Sequence, residues 1–394
     1  MRILHIQFAG PFSEGMGYQE NILPKYHVRL GHDVFFLTNC FSWVKGDLVH
    51  VSPGKKLLKD GFMLERMEFV NLGLECITKK LRVVKDVEQK LDEINPDFIM
   101  LHGVQSFANY GIINYLKKHP SVTMIVDNHT DFGNSAKNLL SKYILHGVIW
   151  KHLAHILVPY TKMFYGVLPA RVNFLKSMYT IPSNKCDLLV MGADDELVQQ
   201  ASDRIEKVNI RQKHGIKADD FLIVTGGKID FKKKKVLNLM DAVNRIHKKK
   251  VKLIVFGSVV TALKNDVFKR CSEYVQYIGW IESALTYDYF AIADLAIFPG
   301  GHSVFWEQAC GQGLPLIVKK WEDMTHLDMG GNVIYLEQAS VFEIENNIRQ
   351  LMNRSERYYF MKSVAVKRAM KHFSYKNIAA KCLNLEGSGR TIFL

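Results

Sequence analysis

Brief uninterrupted apolar runs alternate along the chain with longer stretches in which apolar residues return every three or four positions. The runs read as strands buried on both faces, and the stretches between them as helices laid against a sheet. In the first half the strand candidates are Ile3–Phe8, Val34–Thr38, Asp97–His102, Val122–Val126, His155–Pro159 and Asp187–Met191. Gly17–Leu30 reads as a helix that Gly31 stops. After a polar, charge-rich stretch from Asp194 to Asp219 the alternation restarts, with strand candidates Phe221–Thr225, Lys252–Phe256, Tyr274–Ile278, Leu295–Phe298, Leu314–Val318 and Asn332–Leu336. Helices fit between them, notably Val236–Lys248 and Trp306–Gln312. Ser340–Leu385 is helical in character, interrupted about His372–Asn377. This order predicts an α/β chain of two doubly wound parallel-sheet domains, 1–195 and 196–370, followed by a helical tail, 371–394. Two such domains in tandem are expected to leave a cleft at the carboxyl ends of their strands, where ligands usually sit.

Composition narrows the class. Of the 394 residues 48% are apolar and 23% charged, which excludes a disordered or fibrous protein. The cysteines stand singly with no CxxC pair, so neither a zinc ribbon nor a disulfide framework is expected. His152 and His155 form an HxxH pair without a carboxylate at metal spacing, a poor zinc site. Met1-Arg2 runs straight into a strand without a signal-peptide pattern. No apolar stretch reaches the ~18 residues that span a bilayer; Tyr143–Val158 is broken by His146, Lys151, His152 and His155. The expected location is the cytoplasm. A formal charge of +13 favours phosphorylated substrates or an anionic membrane surface. Zinc-finger, RNA-binding and helix-turn-helix motifs are missing, so nucleic acid is not an expected partner.

Chemistry concentrates in the second half. Strand 221–225 runs into Gly226-Gly227-Lys228, then Ile229-Asp230-Phe231 and four lysines, Lys232 to Lys235. Glycines after a strand let backbone amides approach a ligand, and the lysines that follow suit a diphosphate. In Phe298 to Val318 a strand leads through Gly300, Gly301, His302 and Ser303 into a helix that carries Glu307. That turn is a ready anion site, and the Glu307 carboxylate can accept both hydroxyls of a ribose. A third strand end, Tyr277 to Ile281, carries a glycine turn that can lie against a planar base.

These three elements, in this order, resemble the donor half of the retaining glycosyltransferase family 4, of GT-B fold. The resemblance covers nearly the whole chain. The opening through "GMGYQEN" and "LGHDVFFLTN", the strand ends "PDFIMLHG" and "IVDNHTDF", the segment "MGADDELV" and the tail "HFSYKNIAAKCL" are similar to that family's motifs. It implies two Rossmann-like domains facing a cleft, with a terminal helix returning to the first. The family's arginine after the glycine turn falls on Lys228, and its following lysine on Lys233 or Lys234; both hold the donor diphosphate. Its ribose glutamate, the second of an E-x7-E motif, falls on Glu307. The acceptor-domain histidine beside the donor sugar falls on His129, and the N-terminal glycine loop on Gly15 to Gly17. Two positions depart from the family. Lys228 lacks the bidentate fork of arginine, and eight residues before Glu307 stands Pro299, so the first glutamate has no counterpart.

The expected function is therefore retaining transfer of a sugar from a nucleotide-diphosphate donor, UDP first, to a saccharide or lipid-linked glycan, without a metal or other cofactor. The expected catalytic residues are His129, Lys228 and Lys234. The donor would lie on Gly15, Gly17, Gly227, Lys228, Lys233, Lys234, Ile281, Gly300, Gly301, His302, Ser303 and Glu307. Bulky residues between Leu139 and Trp150 with the basic first domain suggest contact with the inner face of an anionic membrane. Two alternatives remain open, a nucleotide-sugar epimerase on the same scaffold and an inactive nucleotide-sugar-binding partner protein.

Overall fold

The computed structural model describes residues 1–44, 47–136, 138–207 and 209–383. The last part of the expected tail, 384–394, lies outside the described residues. The chain divides into two compact units, Met1–Val190 with Ala379–Leu394, and Met191–Ile378.

The first unit is built on an eight-stranded sheet in the spatial order Cys186–Leu188, Thr161–Gly166, Thr123–Asn128, Phe98–His102, Arg2–Gln7, Asp33–Asn39, Met63–Met67 and Gly54–Leu57. All neighbours run parallel except the last pair, where Gly54–Leu57 is antiparallel to Met63–Met67. Hydrophobic residues such as Ile6, Ile99, Leu101 and Val126 fill one core with Leu91, Ile112 and Leu153 from the covering helices. The expected first helix spans Gln19–Arg29. At the other end of the chain, Ala379 and Cys382, from the helix Tyr375–Leu383, pack against His27 within this unit.

Several first-half elements differ from the sequence expectation. The segment His155–Pro159, expected as a strand, is helical: a helix Lys151–Leu157 runs into a 3-10 turn, and the strand follows at Thr161–Gly166. Leu153, Ala154 and Leu157 are buried at helical spacing, and a short apolar run cannot be assigned by periodicity alone. The chain also adds an antiparallel strand pair, Phe41–Val44 with Asp47–His50, and the last two strands at one end of the main sheet, Met63–Met67 and Gly54–Leu57. Their burial does not alternate, so no period-two apolar pattern marks them: Gly54–Leu57 is exposed at every position, and Met63–Met67 buries Leu64 alone.

The second unit is a six-stranded, all-parallel sheet in the order Val275–Gly279, Val251–Phe256, Phe221–Gly226, Leu295–Phe298, Leu316–Lys319 and Val333–Leu336. The sequence alternation is realised nearly strand for strand here, because continuous burial on both faces demands continuous apolar runs. Helices Val236–Ile246 and Val341–Leu351 bury Leu239, Val243, Ile344 and Ile348 against it. No helix among the described residues is long and apolar enough to cross a membrane.

Candidate functional site

Three adjacent strands of the second unit end in glycines that no other residue replaces cheaply. Gly227, Gly257 and Gly279 have φ of 116°, 119° and 79°, a region that strains residues carrying a Cβ. The turns lock together: Gly227 donates its amide to the Phe256 carbonyl, and Gly257 donates to the Gly279 carbonyl at 2.7 Å. A Cβ on Gly257 would stand 2.1 Å from the Gly227 carbonyl oxygen. This packing sets the Gly227 backbone at the carboxyl edge of the sheet.

Lys233 and the 300–303 turn close on the same spot. A Cβ on Gly227 would lie 3.4 Å from Lys233 Nζ and 3.7 Å from Ser303 Oγ, and one on Gly300 would lie 2.9 Å from Lys233 Cα. Gly300 is held from behind by Trp321, whose Nε1 donates to its carbonyl at 3.2 Å. Asp230 Oδ1 accepts from the amides of Lys232 and Lys233 and so fixes the lysine-bearing turn. Burial pushes the Lys233 pKa down, with Asp230 opposing. Lys228 and Lys234 are exposed on this turn, and helix Val236–Ile246 starts only after the four lysines.

One turn further on sits Glu307, fully buried in the helix Phe305–Gly311. His302 and His326 both donate Nε2–H to its Oε1, at 2.8 and 2.9 Å. Its Oε2 is buried without a partner. Burial alone would raise the Glu307 pKa, but the two histidines outweigh it and bring it down to about 2. The carboxylate is thus charged at neutral pH with one oxygen engaged and one left to accept. Ile281 is half-buried two residues beyond Gly279, beside the exposed Trp280.

The remaining expected site residues, Gly15, Gly17 and His129, belong to the first unit. There a cavity of about 280 Å³ is lined by residues that include Ser13, Tyr18, Glu20, His102, Gln105 and His129. Gly15, at φ 75°, and Gly17 flank the lining residues Ser13 and Tyr18 without lining the cavity themselves. His129 Nε2 lies 3.4 Å from Asp127 Oδ2, which also accepts from His102 Nδ1 at 2.7 Å. Burial would lower the His129 pKa, but the Asp127 carboxylate raises it above its ordinary value.

Sequence reading missed Gly257, Asp127, His102 and His326 as site residues. For two of them a signal exists: His102 and Asp127 are polar residues closing strands that are otherwise apolar, where burial without a partner is costly. Nothing local marks His326. Three groups among the described residues bring ligand atoms within 4.8 Å of one another and have donor sets a metal can use: His302, Glu307 and His326; His102, Asp127 and His129; and Cys40, His50 and Glu68.

Residues 220–354 match the family model described as glycosyl transferases group 1. No curated protein matches the sequence. Among solved structures, a sucrose-phosphate synthase from Thermosynechococcus elongatus superposes with a TM-score of 0.66 at 14% identity, covering 98% of each chain. The Anabaena protein HepE, solved in complex with UDP, gives 0.65 at 14% identity over 99% of this chain and 100% of that one. A putative UDP-N-acetylglucosamine 2-epimerase from Listeria monocytogenes gives 0.64 at 11% over 98% and 96%. At such identities the likeness shows the fold, which is GT-B.

Proposed function

From the glycosyl transferase group 1 domain formed by residues 220–354, we propose that the protein transfers a sugar from a nucleotide-diphosphate donor to a saccharide or lipid-linked glycan. The observation that carries the reading is the convergence of the Gly227 backbone, Lys233 Nζ and Ser303 Oγ one turn from a buried, ionised Glu307. The first three suit a diphosphate, and the unpartnered Glu307 Oε2 suits a ribose hydroxyl. UDP is the preferred nucleotide, supported by the complex of HepE with UDP.

In this mechanism the bond from the anomeric carbon to the diphosphate breaks, and negative charge grows on the departing oxygen. Lys233, with Lys228 and Lys234 on the same turn, and fixed backbone amides stabilise that charge more in the transition state than in the ground state. Cations carry this charge, so a metal is not required, and addition of a chelator should leave transfer unchanged. A role for His129 beside the donor sugar is what the family resemblance implies. Retention at the anomeric carbon follows the family resemblance.

Losing one such contact typically costs ~3–4 kcal/mol in activation free energy. Lys233→Ala and Glu307→Ala should therefore each lower kcat/KM for transfer by roughly a hundredfold or more, and should weaken UDP-induced stabilisation in a thermal-shift assay. Full efficiency in both variants would remove the assignment. The likeness in fold to the Listeria epimerase favours a second reading, epimerisation of the nucleotide sugar. Release of epimerised donor in the absence of any acceptor would select it.

A further inference from the structure

The first unit holds a second cavity, of about 240 Å³, which shares Ala9, Gln105 and Thr130 with the cavity already described and so adjoins it. Its lining includes Lys80, Arg82, Asn134, Ser135, Ser141 and His146, and no aspartate or glutamate. Arg82 donates one Nη1–H to the Gln105 carbonyl at 2.8 Å. Among the described residues its other N–H groups have no partner, and neither Arg82 nor Lys80 pairs with a carboxylate. Burial pushes the Arg82 pKa down to about 10, with Tyr179 opposing. Burial, then the charges of Lys80 and Arg82, bring His146 down to about 4, so both cations act on one neutral imidazole. Arg82 follows the helix Glu75–Leu81 at φ 54°, in the left-handed region where helices ordinarily end on glycine. Ser106 Oγ donates to its carbonyl at 2.7 Å and helps to hold it there.

The hydroxyl part of the wall is held from the core. Gln105 donates Nε2–H to the Tyr179 hydroxyl at 2.9 Å, and His146 Nδ1 stands 2.8 Å from the same oxygen. Tyr179 and His146 are both buried. The phenol has one proton to place, and among the described residues His146 Nδ1 is its only acceptor. His146 then carries its own proton on Nε2 and donates it to Ser135 Oγ at 2.9 Å. The Ser135 hydroxyl hydrogen is left without a partner among the described residues. The cavity thus offers a guanidinium, an ammonium and a hydroxyl donor, with no anion of its own to satisfy them.

We propose that this cavity binds an oxyanion, a phosphate or carboxylate borne by the acceptor saccharide, on Arg82, Lys80 and the Ser135 hydroxyl. The Arg82 guanidinium presents a planar fork that matches two oxygens of such a group, and the exposed Lys80 adds a second charge. Pockets that enclose a whole small ligand start at ~300 Å³. A volume of about 240 Å³ therefore suits one substituent, with the sugar that carries it in the adjoining cavity of about 280 Å³. The cations assigned to the donor diphosphate, Lys228, Lys233 and Lys234, belong to the second unit, so an anion site in the first unit serves another molecule. That this molecule is the acceptor rests on the transferase reading above; the anion site does not. Hydroxyl and amide side chains in the lining favour a sugar substituent over a lipid headgroup.

The test titrates glucose 6-phosphate, glucuronate and glucose into the full-length protein by calorimetry. One or both anions should bind roughly tenfold or more tightly than glucose, and Lys80→Gln should remove most of that difference. Arg82→Lys, which keeps the charge and loses the fork, should weaken the anion as well. Lys80 is exposed, so Lys80→Gln decides the matter even if the Arg82 variant does not fold. Anions that bind no better than glucose would overturn the site, as would a loss confined to Lys233→Ala, which would put the anion on the second unit. An equal loss in Lys249→Gln, an exposed lysine of the second unit, would reduce the effect to general charge attraction and overturn it too. Binding to phosphatidylglycerol vesicles that depends on Lys80 and Arg82, with none of the sugar anions bound, would move the site to a membrane surface and overturn the acceptor assignment. Transfer to uncharged saccharides as efficient as to charged ones would also overturn that assignment and leave the transferase reading standing. The expected anion binding with no transfer from any donor would refute the transferase reading and leave the anion site in place.

Discussion

Glu307 illustrates how one buried carboxylate ties stability to chemistry. Its pKa falls from 4.5 to about 2 because two histidines donate to a single oxygen, against the opposing effect of burial. The folded carboxyl takes up its proton later than the unfolded one, so its contribution is complete above about 4.5 and is lost as pH falls toward about 2. Converted at ~1.4 kcal/mol per unit, this is on the order of 3 kcal/mol at neutral pH. Glu307→Gln should remove it, and the stability gap to the unaltered protein should close between pH 5 and 2; a gap constant with pH would reject the linkage. Gly257 gives a steric test. Alanine there meets the Gly227 carbonyl at 2.1 Å with φ at 119°, a strain of ~1–3 kcal/mol. Gly257→Ala should lower Tm by about 4 °C or more and weaken UDP binding more than Gly15→Ala, whose Cβ meets nothing within 4 Å. Glu307 and the glycine turns were legible in the sequence because a strand, a glycine and a charge stand in succession. His326 and the Gly257–Gly227 contact were not, since each depends on a neighbour distant in the chain.

Among the helices, Leu140–Trp150 stands apart. It is wound as a π-helix, a form rare beyond a single turn, and it exposes Leu140, Tyr143, Ile144 and Val148 to solvent beside Leu139. Lys142 lies over the Phe132 and Tyr143 rings, and Lys151 follows the segment. A protein of net charge +13 with such a stripe is suited to an anionic lipid surface, by apolar insertion and charge attraction together. Binding to vesicles of anionic lipid should weaken with salt, and Ile144→Glu with Val148→Glu should reduce it at least tenfold. Equal binding to neutral vesicles, or no effect of the two charges, would reject the idea. The sequence marked these residues as bulky but also offered His155–Pro159 as a strand, since a brief apolar run serves either element. The all-parallel second sheet was the easiest part to read, because burial on both faces leaves an unbroken apolar signature. Strands Gly54–Leu57 and Met63–Met67 of the first unit left none, because their burial does not alternate.

Across the chain, the titratable groups divide the two units by pH. In the first, burial brings the pKa of His27 from 6.5 to about 3, that of His146 from 6.5 to about 4, and that of His5 well below 6.5. An unfolded histidine takes a proton near 6.5 while these folded ones do not, so their contribution is complete above 6.5 and is lost as pH falls through the folded values. Each costs up to ~1.4 kcal/mol per pH unit within its window. His129 acts in the opposite sense: its raised pKa adds stability that is full below 6.5 and is lost as pH rises through the folded value. Between pH 7 and 5 three groups therefore weaken the first unit and one supports it, whereas Glu307 weakens the second unit only below about 4.5. Native-state hydrogen exchange, corrected for the intrinsic pH dependence, should show opening free energies falling between pH 7 and 5 in strands Phe98–His102 and Thr123–Asn128. Strand Phe221–Gly226 should hold its value over the same range. Equal loss in both sheets would mean that the buried histidines are protonated at little cost, and the first unit would then lack the acid sensitivity that its core geometry requires.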